Sequence, residues 1–75
     1  MPTTTEKLVK EALGRRGADV FVVREALRRR IRRMSEVEFT NELHHISDPE
    51  IIRYLFSIGL RKGYWEAAIR RLEVL

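Results

Sequence analysis

Five arginines occupy six consecutive positions, Arg28 to Arg33, and no other run in the chain has side chains so suited to one chemistry. A guanidinium is always charged and presents a planar fork of donors, so a row of them suits phosphate oxygens. At about 100° per residue, Arg28, Arg29, Arg32 and Arg33 fall on one side of a helix. Such a face could meet consecutive phosphates, the main sequence-independent source of nucleic-acid affinity. Arg24, Arg15, Arg16, Arg61 and Lys62 are the cations expected to assist.

The cluster also has an internal explanation. It stands in the last turns of its helix, where cations oppose the negative end of the dipole. The segment Ser35 to Glu50 has five acidic residues and no Lys or Arg, so Glu36, Glu38 and Glu42 could pair with the arginines. Against that, Arg28/Arg32 and Arg29/Arg33 are like-charge i,i+4 pairs, each costing roughly 0.2–0.5 kcal/mol. Self-repulsion of that kind is relieved when an anion sits on the face.

Charge is polarised along the chain. Residues 1–34 carry ten Lys and Arg against four Asp and Glu, while residues 35–75 carry five against seven. Two partners fit this pattern: nucleic acid, or an acidic protein surface, which could be the acidic segment of a second copy in a homodimer.

The helix that presents the arginines has a clear inner face. Val20, Val23, Leu27, Ile31 and Met34 lie within roughly 80° of one another. The run Val20–Val23 also has strand character, yet four residues are short for a strand and the helical period continues past it. Phe21 and Val22 point away from the stripe and need a second contact or stand exposed.

The other elements follow from caps and periodicity. A first helix runs from a Thr3/Glu6 capping box to about Leu13, with Leu8, Val9, Ala12 and Leu13 inward and Gly14 closing it in the left-handed conformation. Residues 1–3 are expected to fray. Asp19 is the expected N-cap of the second helix, and Ser35 with Glu38 forms the box that opens the third. A fourth helix starts near Pro49, capped by Asp48 or by a Ser47/Glu50 box, carries Ile51, Ile52, Leu55, Phe56 and Ile58, and closes at Gly59 or else runs through it to Lys62. After an Arg61–Gly63 turn, a fifth covers about Tyr64 to Leu75 with Trp65, Ala68, Ile69, Leu72 and Leu75 on its inner stripe. The expectation is an all-α, single-domain bundle of four to five short helices spanning residues 1–75, in a helical-hairpin or orthogonal packing, with the fourth helix and Trp65 at its centre. Tyr64 is expected to be the most exposed of Tyr54, Tyr64 and Trp65.

Two segments resemble known motifs. Ser35 to Leu60, SEVEFTNELHHISDPEIIRYLFSIGL, resembles a helix-turn-helix, braced by Leu43, Ile46, Ile51 and Leu55; GLRKGYW stands where a winged relative turns into its wing. That resemblance implies DNA reading by the fourth helix through Arg53 and Tyr54. Its turn is one residue longer than usual, His44 stands at the usual glycine, and Asp48 and Glu50 would repel phosphates at the groove entry. DPEIIRYLFSIGLRKGYWEAAIRRLEVL is similar to a HEAT-type helical hairpin, which implies stacking or protein binding, since one such repeat cannot bury its own face.

Other chemistries are not expected. His44 and His45 are adjacent, diverge by about 100° on a helix and have no His or Cys one turn away, so no metal and no cofactor is expected. There is no glycine-rich phosphate loop and no nucleophile with a base and an orienter, so the chain does not read as an enzyme. Cysteine is absent and no apolar run approaches the roughly 18 residues of a membrane span. MPTTTEK has neither a basic nor an apolar leader region. A cytoplasmic protein without membrane contact is expected. Arginine outnumbers lysine twelve to three, glutamine is absent and Asn41 is the one asparagine, a composition with a faint thermophile character.

Overall fold

The computed structural model describes residues 3–75. They form five helices: α1 (Thr4–Gly14), α2 (Ala18–Arg33), α3 (Glu36–His44), α4 (Pro49–Phe56) and α5 (Lys62–Glu73). No strand occurs among the described residues. The radius of gyration is 11.6 Å, against about 11 Å for a packed chain of this length, so the helices share one body.

Local chemistry accounts for each helix start. The Thr3 hydroxyl accepts from the Glu6 amide at 3.0 Å and caps α1, so Thr3 is held in place; of the expected frayed residues, Met1 and Pro2 lie outside the described residues. Ser35 and Glu38 make both bonds of a capping box at 3.1 and 3.2 Å. At α4 the Asp48 carboxylate accepts from the Glu50 amide at 2.9 Å, with Pro49 in the first helical position, where its missing N–H costs nothing.

Two boundaries differ from expectation. Gly14 is helical, and the left-handed residue is Gly17 (φ 65°), which is the N-cap of α2 in place of Asp19. The reversal after α1 needs one residue at positive φ, and glycine adopts it without a Cβ clash. Asp19 instead lies in the first turn of α2, where a carboxylate faces the positive end of the dipole. The second difference is at α5. Gly59 (φ 94°) completes the reversal after α4, so no further turn is needed at residues 61–63. Arg61 becomes the N-cap and Lys62 and Gly63 enter the first helical turn.

One apolar cluster joins the elements: Val9 from α1, Leu27, Ile31 and Met34 from α2 and its end, Phe39, Leu43 and Ile46 from α3 and its exit, Ile51, Ile52, Leu55 and Ile58 from α4 and the turn after it, and Ala68 from α5. α1 packs on α2 and α3 on α5, and α4 touches both α1 and α5. The fourth helix is therefore the bridge between the two pairs. Trp65 is not at the centre. It is 47% exposed and forms a T-shaped pair with Phe56, with ring centroids 6.0 Å apart. The side of α5 that turns inward carries Tyr64, Ala68 and Leu72. Tyr64 stacks on Phe39 at 5.1 Å and its hydroxyl donates to the Met34 carbonyl. Trp65, one residue on, is rotated by about 100° onto the flank. Leu13 and Leu75, both expected inside, are also exposed.

Candidate nucleic-acid interface

The stripe and the cationic face of α2 separate as the 3.6-residue period requires. Val23, Leu27, Ile31 and Met34 are buried and Val20 is half-buried. Arg29, Arg32 and Arg33 stand exposed on the outer side. Among the described residues none of the three has an ion-pair partner. Phe21 and Val22 are 72% and 71% exposed on the same helix.

The remaining cations divide by what they touch. Arg28 is half-buried; its Nε donates to the Ile58 carbonyl at 3.3 Å and its terminal nitrogen pairs with Glu25. Arg24 is committed to the end of α4, donating to the Tyr54 hydroxyl at 3.2 Å, the Ser57 hydroxyl at 3.1 Å and the Ser57 carbonyl at 2.8 Å. Its guanidinium carbon also lies 5.5 Å from the centroid of the Tyr54 ring. Arg15 makes a surface pair with Glu11 at 3.3 Å. Arg16, Arg61 and Lys62 are exposed, again without an ion-pair partner among the described residues.

The acidic third helix does not cover the arginine face. Glu38 is engaged in the capping box of its own helix. Glu36 lies against Gly63, its carboxylate filling the space a side chain there would need. Glu42 alone reaches α2, and it takes Arg30, with N···O 3.1 Å. The same carboxylate accepts from the Thr5 amide at 3.1 Å, and Arg30 Nε donates to the Thr5 hydroxyl at 3.2 Å. Burial acts to raise the Glu42 pKa; hydrogen bonds from the Thr5 hydroxyl and amide and from Arg30 outweigh it and hold the carboxyl below its ordinary value. This network ties α1, α2 and α3 together and leaves Arg29, Arg32 and Arg33 uncovered.

Two recesses flank the arginine helix. A broad groove of about 730 Å³ runs between α2 and α3, with Arg29, Arg30 and Arg33 on one wall and Glu38, Asn41 and His45 on the other. On the opposite side, a cleft of about 360 Å³ is lined by Arg28, Ile31, Arg32, Ile58, Gly59, Arg61 and Tyr64.

The two residues that the helix-turn-helix resemblance offers to DNA both have partners within the chain. Ile51, Ile52 and Leu55 bury α4 in the core, Tyr54 is held by Arg24, and Arg53 is paired with Glu50. Among the described residues there is no group of three His, Cys, Asp or Glu placed to hold a metal, and no helix is long and apolar enough to cross a membrane.

Arg71 escaped the sequence reading. Its Nε donates to the Leu43 carbonyl at 3.0 Å, which also accepts from the Ile46 amide, and its Nη2 to the Ile46 carbonyl at 3.1 Å and the His44 carbonyl at 3.3 Å, supplying a donor where the α3 ladder has ended. Its place one turn after Ala68, on the inner arc of α5, is the signal that could have found it. Comparison with family models, with curated proteins and with solved structures finds no match for this chain.

Proposed function

We propose that the protein binds nucleic acid without sequence preference, through phosphate contacts made by Arg29, Arg32 and Arg33, with Arg28, Arg61, Lys62 and Arg16 at the margins. The observation that carries this reading is the fate of the acidic helix: Glu42 is taken by Arg30, Glu36 lies against Gly63, and Glu38, across the groove from Arg29 and Arg33, caps its own helix and forms no ion pair with them. A face of like charges without counterions gains by displacing the cations condensed on a polyanion. Arg24, engaged at the end of α4, holds the scaffold and is assigned no phosphate contact. Arg15, paired on the surface with Glu11, contributes long-range attraction. The reading is non-enzymatic and assigns no cofactor and no metal.

The test is binding of a mixed-sequence duplex and a single strand at low salt by fluorescence anisotropy, with the R29A/R32A/R33A variant beside the unaltered chain. Affinity that falls steeply with salt and weakens uniformly across sequences in the variant supports the reading.

A second reading, favoured by the exposure of Phe21 and Val22, is a protein-interaction module or homodimer in which α4 and α5 act as a HEAT-like hairpin and the basic face of one copy meets the acidic α3 of another. Its finer fold content is a helical-hairpin or orthogonal arrangement of the bundle. Sedimentation at two salt concentrations separates the readings: a dimer that dissociates in salt and ignores nucleic acid favours the second.

A further inference from the structure

The cleft between α2 and the turn leading into α5 is lined by two arginines of one helix and a third from a distant part of the sequence. Arg28 and Arg32 stand one turn apart on α2, and Arg61 arrives from the other wall. Its position is set by the Gly59 turn and by its role as N-cap of α5. Ile31, Ile58 and Tyr64 supply apolar walls. At about 360 Å³, the space lies at the lower end of small-ligand sites.

Charge inside the cleft does not balance. Arg28 is compensated by Glu25. Arg32 and Arg61 have no ion-pair partner among the described residues. Two arginines without an ion-pair partner thus line one recess. The third guanidinium is pre-oriented, because the Ile58 carbonyl fixes Arg28 Nε, so less side-chain entropy is lost when an anion arrives. Tyr64 cannot swing in to fill the space, since its hydroxyl is held by the Met34 carbonyl.

We infer that this cleft is a binding site for a compact phosphate dianion: a phosphate monoester, such as the end of a 5′-phosphorylated strand, or inorganic phosphate. A monoester carries about −1.5 to −2 charge at pH 7, with its second ionisation near pH 6, and matches the two uncompensated arginines. A backbone phosphodiester carries a single charge and suits the open face of Arg29, Arg32 and Arg33, of which Arg32 alone also lines the cleft. The inference extends the nucleic-acid reading to strand ends, but the site itself is testable without nucleic acid.

The experiment is amide NMR titration of the full chain with inorganic phosphate at pH 7, at ionic strength matched with chloride. Parallel titrations use a short oligonucleotide with a 5′-phosphate and the same oligonucleotide with a 5′-hydroxyl. Saturable shifts confined to Gly59, Arg61 and Arg32 are expected with phosphate and with the 5′-phosphorylated strand. The R32A/R61A variant should lose at least tenfold in phosphate affinity, while R53A, outside the cleft, should keep it. Both substituted arginines are exposed, so the variant should fold, and its amide spectrum checks that directly. Affinity for phosphate should fall on going from pH 7 to pH 5, as the dianion is protonated. Unsaturable shifts spread over Arg16, Arg29 and Arg33 alike would overturn the site, as would undiminished affinity in R32A/R61A. Equal shifts at the cleft with the 5′-hydroxyl strand would overturn its preference for a dianion. Saturable phosphate binding with no duplex binding would leave the cleft standing and remove the nucleic-acid reading; duplex binding without saturable phosphate binding would do the reverse.

Discussion

Arg30 and Glu42 form the only ion pair that joins two helices among the described residues, with N···O 3.1 Å and Thr5 bonded to both. The other pairs lie three or four residues apart along a single helix. This one contact divides the arginine run into a structural member, Arg30, and the exposed members Arg29, Arg32 and Arg33.

Glu42→Gln should destabilise the fold by about 1.5–3 kcal/mol, the range for hydrogen bonds to a charged group, measured by urea unfolding at pH 7. The carboxyl is held below its ordinary value when folded, so its contribution is present above the unfolded pKa of about 4.3. It is lost as pH falls through the lower folded pKa. Unfolding free energy of the unaltered chain should therefore drop on acidification more than that of the variant, and parallel curves would count against the network.

Arg71→Ala should cost about 1–3 kcal/mol, because it removes the guanidinium donor from the His44 and Ile46 carbonyls, while Arg70→Ala should change stability by no more than about 0.5 kcal/mol. The neighbouring arginines differ in what they touch: Arg70 makes only a surface pair with Glu66, and Arg71 reaches Leu43, His44 and Ile46. Equal effects in thermal or urea unfolding would contradict the assignment.

Substitutions at two nearby glycines should act in opposite directions. Gly14 is helical with open space where a Cβ would sit, so Gly14→Ala should stabilise by about 0.4–1 kcal/mol. Gly17 has φ 65°, and Gly17→Ala should destabilise by roughly 1–2 kcal/mol. The sign of the pair, read from melting temperatures, checks the placement of the α1–α2 turn.

Trp65, the sole tryptophan, should be quenched readily by acrylamide in the native state, since nearly half of it is exposed. Trp65→Ala should cost less than Phe39→Ala, for which about 3–5 kcal/mol is expected of a fully buried aromatic. Native fluorescence shielded from quencher would place Trp65 in the core after all.

These outcomes also mark where residue order was informative. The α2 stripe, the Ser35–Glu38 box, the Asp48–Pro49 start and the Gly59 stop were legible because each is decided by residues within about four positions of one another. Trp65 was misplaced because its stripe and the Tyr64–Ala68–Leu72 arc differ by one position, and only the packing of α5 on α3 chooses between them. Arg24 reads as a phosphate-binding cation and Arg71 escapes the reading because their acceptors, Ser57 and the end of α3, are about thirty residues away. Within the arginine run, periodicity separated the cationic face from the core. It did not show that Glu42 would select Arg30, since that depends on the depth at which α3 meets α2.

The most direct measurement is the salt dependence of duplex binding. Each phosphate-contacting arginine removed should reduce the slope of log K against log salt by roughly 0.9. For R29A/R32A/R33A the account predicts a slope shallower by roughly 3 than that of the unaltered chain, with the native helical content retained. No measurable binding at low salt, or the same slope in both proteins, would contradict it.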